Sequence, residues 1–198
     1  MFTKTSIRIM ELFVSRINDS FSIRQASQEL KKPYPLVYKE VHKLLNEGFL
    51  IKDYRKLISL NYRENFSELA YIESLRKKEH FKRHKTAELF YNDVLRAITR
   101  ESFILLVFGS SVYSQKPGDL DILLIIDRIE DVESKEKLLL NIAGKFSTRF
   151  DIGVISVESV YEMLAKREQL NVMNETLNKH IILFGAENYY RLITNARQ

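Results

Sequence analysis

The chain has 198 residues, 45% of them hydrophobic and 29% charged, with 31 Lys/Arg against 26 Asp/Glu for a net charge of +5. Those proportions describe a globular protein of one or two domains whose core needs no staples. The lack of cysteine excludes disulfides and thiolate metal sites, no apolar run approaches the ~20 residues of a membrane helix, and the amphipathic first segment is unlike a signal peptide, so a cytoplasmic protein without membrane partners is expected.

Charge is unevenly spread. Residues 1–63 carry 12 Lys/Arg and 6 Asp/Glu, residues 64–100 carry 8 and 6, and residues 101–198 carry 11 and 14. The first third is therefore the expected polyanion contact, and the last part an acidic body. Apolar residues at helical period, Ile7, Ile9, Met10, Phe13, Val14 and Ile17, predict a first helix. Ser22 with Gln25 three residues on is a capping-box pattern that opens a second. After Lys31-Lys32-Pro33-Tyr34-Pro35 a third helix buries Val37, Val41, Leu44 and Leu45, and Gly48 ends it. Residues 49–60 read as a hairpin with the polar tip Asp53-Tyr54-Arg55-Lys56.

Helix, short helix, turn, helix, hairpin resembles a winged helix-turn-helix over residues 1–63. Such a domain places its third helix in the major groove. The side away from the valine–leucine stripe carries Tyr34, Tyr38, Lys39 and His42, with Lys32 and Lys43 for phosphates and Lys52, Arg55 and Lys56 on the wing. Double-stranded DNA is the implied partner. Packing against a neighbour or a second copy is the competing use of such a module.

Residues 64–86 read as a helical connector. Its basic run Arg76–Lys85 includes His80 and His84 at i,i+4 spacing, and the surrounding lysines and arginines favour a solvated face over a metal site. Residues 87–98 predict an amphipathic helix leading into strand Phe103–Phe108. That strand breaks at Gly109-Ser110, and Asp119-Leu-Asp121 opens a second apolar strand. Side chains two apart on a strand point the same way, so two like charges stand together unless a cation relieves them. A Gly-Ser turn admits a phosphate close to its backbone N–H groups. A helix over 131–145 and a third strand, Phe150–Ser156 with Asp151, follow. A small mixed sheet covered by helices on one face is expected, within an α/β (α+β) chain.

The constellation of strand, Gly109-Ser110, short link, Asp119 and Asp121, strand, and later Asp151 resembles the nucleotidyltransferase superfamily of polymerase beta, the kanamycin nucleotidyltransferases and the minimal nucleotidyltransferases. The resemblance covers roughly residues 88 to 195. It includes the helical segment Val157–Arg167, the strand ending at Gly185 and the Tyr-rich last helix, and it suggests a nucleotidyltransferase domain over 87–198. It implies that Asp119, Asp121 and Asp151 bind divalent metal, Mg²⁺ or Mn²⁺, with a nucleoside triphosphate, commonly ATP. It further implies that Asp151 assists deprotonation of the acceptor hydroxyl and that Gly109 and Ser110 meet phosphate. The link to Asp119 is short, with Lys116 as its only basic residue, and Ser111, Tyr113 and Lys116 are either nucleotide contacts or plain loop. Two function classes remain at this point. One is an enzyme transferring a nucleoside monophosphate to an acceptor hydroxyl, which a protein could supply. The other is a DNA-binding regulator whose second domain senses nucleotide or dimerises.

Overall fold

The computed structural model describes residues 2–99, 101–114, 118–165 and 171–197. Helix α1 (Lys4–Ser15) starts at Thr3, whose hydroxyl accepts from the Ser6 N–H at 3.0 Å while the Ser6 hydroxyl accepts from the Thr3 N–H at 2.7 Å. This reciprocal pair satisfies donors that any helix start leaves open. The box expected at Ser22 is present, its N–H donating to Gln25 Oε1 at 2.8 Å, and it opens α2 (Ile23–Glu29). Helix α3 (Tyr34–Asn46) has proline in its first turn. Gly48, at φ +76°, turns the chain into the antiparallel hairpin of β1 (Leu50–Lys52) and β2 (Ile58–Leu60). Phe21 exchanges two 2.8 Å backbone hydrogen bonds with Ile58, extending the pairing beyond the two-strand hairpin.

After α4 (Phe66–Arg83) and α5 (Lys85–Ala97) the chain builds a four-stranded sheet. Strand β3 (Phe103–Phe108) lies between β4 (Asp119–Ile126) and β6 (His180–Phe184), antiparallel to both, and β5 (Arg149–Ser156) pairs parallel with β4. The order is β5-β4-β3-β6. Helix α6 (Val132–Ala143) crosses from β4 to β5. Helices α7 (Val157–Ala165) and α8 (Val172–Thr176) lie between β5 and β6 in sequence, and α9 (Ala186–Ala196) follows β6. Residues 166–167 of the expected Val157–Arg167 helix lie outside the described residues.

The sheet is covered on both faces, not one. Phe103, Leu105, Val107, Ile122, Leu124 and Ile126 share a core with Phe90 and Val94 of α5 and Leu139 and Ile142 of α6. On the opposite face Ile104, Leu106, Leu123 and Ile125 join Val160 and Leu164 of α7 and Tyr189, Tyr190 and Ile193 of α9. The physical reason is written in β3 and β4, which run apolar without alternation, as strands buried twice do. The second core continues without a break into Ile9, Phe13, Val41 and Leu44 of the first three helices and into Leu69 and Ile72 of α4.

That continuity overturns the solvated reading of His80 and His84. His80 is fully buried and His84 is 7% exposed, with ring centroids 4.5 Å apart. Helix α4 packs against α1, α9 and β6, so only part of its circumference is left for water. Lys78, Lys82 and Arg83 take that part, and Lys85, at the start of α5, is exposed as well. Arg76 instead turns inward, donating to both oxygens of Glu73 at 2.7 and 2.8 Å and to the His180 carbonyl at 2.6 Å. Tyr190 donates to Glu73 at 3.0 Å. Burial works against an ionised Glu73, yet Arg76, His180 and Tyr190 outweigh it and hold the carboxyl below its usual range. No helix among the described residues is long and apolar enough to cross a membrane.

Candidate active site

Strand β4 begins polar and continues apolar. On one face Asp119 and Asp121 precede the buried Leu123 and Ile125, so the carboxylates stand at the open end of a packed surface. The parallel register sets Asp121 beside Asp151 and Asp119 beside Arg149. Register partners on adjacent strands share a face about 4.8 Å apart in backbone spacing. All three aspartates expected at the site are thus on the same face and at the same strand ends. Asp119 and Asp121 are half-buried and Asp151 is exposed.

On its other edge Asp121 pairs with Phe108, the last residue of β3. The chain leaves there through Gly109, at φ +66°, into a short 3-10 turn, Gly109–Val112. A Cβ on Gly109 would run into the Asp121 carboxylate. Glycine is required twice here, for the left-handed backbone and for the approach. The Ser110 N–H donates to that carboxylate, and the Ser110 side chain is exposed. Ser111 does not face the site. It is fully buried and its hydroxyl donates to the Phe108 carbonyl at 3.2 Å. Tyr113 is exposed, its hydroxyl donating to the Asn178 carbonyl at 3.4 Å. Lys116 lies outside the described residues.

Electrostatically the aspartates act on one another. The Asp121 carboxyl is pushed up, first by burial and then by the negative charges of Asp119 and Asp151 and, more weakly, of Glu175, against the lowering effect of the Ser110 N–H. Glu175 stands on α8 and is a fourth carboxylate that sequence reasoning misses, since nothing in Asn171–Thr176 marks it. Arg149 is missed too, though it sits two residues before Asp151 and is exposed on the site's face. It offers a cation beside Asp119. Among the described residues, no three His, Cys, Asp or Glu side chains are already gathered into a group that could hold a metal. The donor set nonetheless suits a hard divalent cation: oxygen ligands in mutual repulsion, gathered at one end of the strands.

The loop behind the turn is held from the junction of α4 and α5. His84 hydrogen-bonds the Ser114 backbone, which raises its pKa only in part; burial first, and then Arg83, leave it below the ordinary histidine range.

The residues expected to meet nucleic acid lie on α3 and the hairpin tip. Tyr38 and Lys39 are exposed, and Lys32, His42 and Lys43 are half-buried. Tyr34, Tyr38 and His42 form a ladder one helical turn apart, with centroids 5.9 and 4.3 Å apart. Lys43 contacts Glu47 at 3.8 Å. On the tip Lys52, Arg55 and Lys56 are exposed, and Arg55 lies 5.4 Å above the ring of Tyr54. Asp53 fixes the tip by accepting from the Leu57 N–H at 2.8 Å. No protein family, characterised protein or solved structure matches the chain.

Proposed function

We propose that the chain is a nucleotidyltransferase, moving a nucleoside monophosphate, AMP in the first instance, from a triphosphate to an acceptor hydroxyl, joined to an N-terminal winged helix-turn-helix that binds duplex DNA. One observation carries the reading: Asp121 and Asp151 side by side in parallel register, Asp119 on the same face, and a glycine kept free of a side chain against Asp121. A divalent cation, Mg²⁺ or Mn²⁺, would be held by Asp119, Asp121 and Asp151 and would neutralise triphosphate charge. Gly109 lets the phosphates approach, the exposed Ser110 hydroxyl meets a phosphate oxygen, and Arg149 adds a positive charge beside Asp119. Asp151, the most exposed of the three, accepts the acceptor hydroxyl's proton as that oxygen attacks the α-phosphorus. The bond from α-phosphorus to the bridging oxygen breaks and pyrophosphate leaves. Most of the rate comes from positioning and charge neutralisation.

The test is pyrophosphate release from Mg²⁺–NTP by the parent and by Asp151→Asn across candidate acceptors. A fall of orders of magnitude with nucleotide affinity kept is expected, because proton removal acts on the transition state. A second reading is a nucleotide-responsive DNA-binding regulator. It is favoured by the aromatic ladder Tyr34-Tyr38-His42 on α3 and the exposed basic hairpin tip. A parent that binds nucleotide and releases no pyrophosphate with any acceptor would turn the assignment to that reading.

A further inference from the structure

Phe2, Phe49 and Tyr71 meet where the start of α1, the link from α3 to β1 and the first turns of α4 come together. Phe2 is central. Its ring centroid lies 5.0 Å from Phe49, tilted 50°, and 6.4 Å from Tyr71 with the planes nearly parallel at 8°. With Ser67 and the carboxylates Glu47 and Glu68 these rings line a cavity of about 520 Å³, within the size range of small-ligand sites. No Lys, Arg or His is among those lining residues, although the segment 1–63 is strongly basic. Lys43 pairs with Glu47 at 3.8 Å, with both side chains partly exposed.

Three aromatic rings and two carboxylates select the occupant by charge and by hydration. An anion is repelled by the rim. A neutral apolar group leaves the carboxylates unmatched. A bare ammonium is compact and strongly hydrated, and aromatic walls replace its water poorly. A methylated ammonium keeps the charge, sheds water readily and is attracted to ring faces within about 6 Å of their centroids. We propose that this cavity binds a methylated ammonium group, seated on Phe2, Phe49 and Tyr71 and balanced by Glu47 and Glu68. The site shares no residue with the aspartate cluster and does not rest on the nucleotidyl-transfer reading. Two sources carry this chemistry, a free quaternary amine and a methylated lysine of a protein partner.

The experiment is an NMR titration of the full chain at constant ionic strength, following the ring signals of Phe2, Phe49 and Tyr71. The probes are choline, its uncharged carbon isostere 3,3-dimethylbutan-1-ol, and a short neutral peptide with one trimethyl-lysine. Choline is expected to saturate the shifts, with the isostere at least about tenfold weaker. Tyr71→Leu, a change at a half-exposed position that keeps bulk but removes the π face, should weaken choline by about tenfold with the remaining spectrum unchanged, and Glu68→Gln should weaken it several-fold. A peptide tighter than choline assigns the source to a protein, and the reverse order assigns it to a free amine; either ranking upholds the site. Equal binding of choline and its isostere, indifference to Tyr71→Leu, or no saturable shift overturns it.

Discussion

Asp121 is held in a place that disfavours its charge. Its carboxyl titrates above the ordinary value, so the folded chain binds that proton more tightly than the unfolded chain does, and ionisation at neutral pH costs the native state. Asp121→Asn keeps an oxygen for the Ser110 N–H and removes the repulsion. Without divalent cation the variant is expected to melt roughly 1–2 °C higher than the parent at pH 7, a small shift because the group is only half-buried. The difference should fade below pH 3.8, where the parent carboxyl is protonated in both states. The same variant should lose Mg²⁺–NTP binding in calorimetry. A melting point that stays put or falls would show that the neighbouring carboxylates do not strain Asp121. At this scale the sequence is legible where chemistry forces a residue type: Gly109, the paired aspartates and Asp151 all meet on one face. Glu175 and Arg149 are not legible, because they are ordinary surface residues until the fold sets α8 and the start of β5 beside β4.

Among the elements, α4 departs most from its reading. The run Arg76–Lys85 looks like a water-facing stripe because charge dominates it, yet a helix with two packed sides must bury whatever falls there. His80 is the clearest case. Burial first, then His84, Arg83 and Arg76, bring its pKa from 6.5 down to about 3. Between those values the unfolded chain takes up a proton and the folded chain does not, so stability present above pH 6.5 is lost as the pH falls through that window. The loss from this group alone is about 2 kcal/mol at pH 5. Urea unfolding at pH 7.5 and pH 5.0 should show His80→Leu losing about that much less than the parent. Equal losses in the two proteins would remove His80 as the cause. The hairpin and the Ser22 box, by contrast, follow their local signals, because capping and turn chemistry act within a few residues and need no knowledge of what packs above them.

For the molecule as a whole, the opposed charges of its two parts set the nucleic-acid prediction. Neutralising Lys52, Arg55 and Lys56 together should weaken duplex DNA binding by the full chain on every sequence. It should also lower the magnitude of the salt slope by about 2–3, as expected for three lost phosphate contacts. Fluorescence anisotropy between 50 and 200 mM salt (about a Debye length of 14 to 7 Å) reads both. An unchanged slope would show that the hairpin tip does not touch phosphate. The full chain is the right object for that measurement, since the division at residue 63 drawn from the order of elements passes through shared packing. Ile9 and Phe13 lie in one apolar body with Leu69, Leu123 and Tyr190. The Ile17 N–H donates to the Leu177 carbonyl at 3.1 Å, and the Asn18 N–H donates to Asn178 at 2.9 Å. A cut near residue 63 would bare a greasy flank on both pieces. The basic end and the acidic end are expected to melt as one body, because the interior they share leaves no seam along which either could open alone.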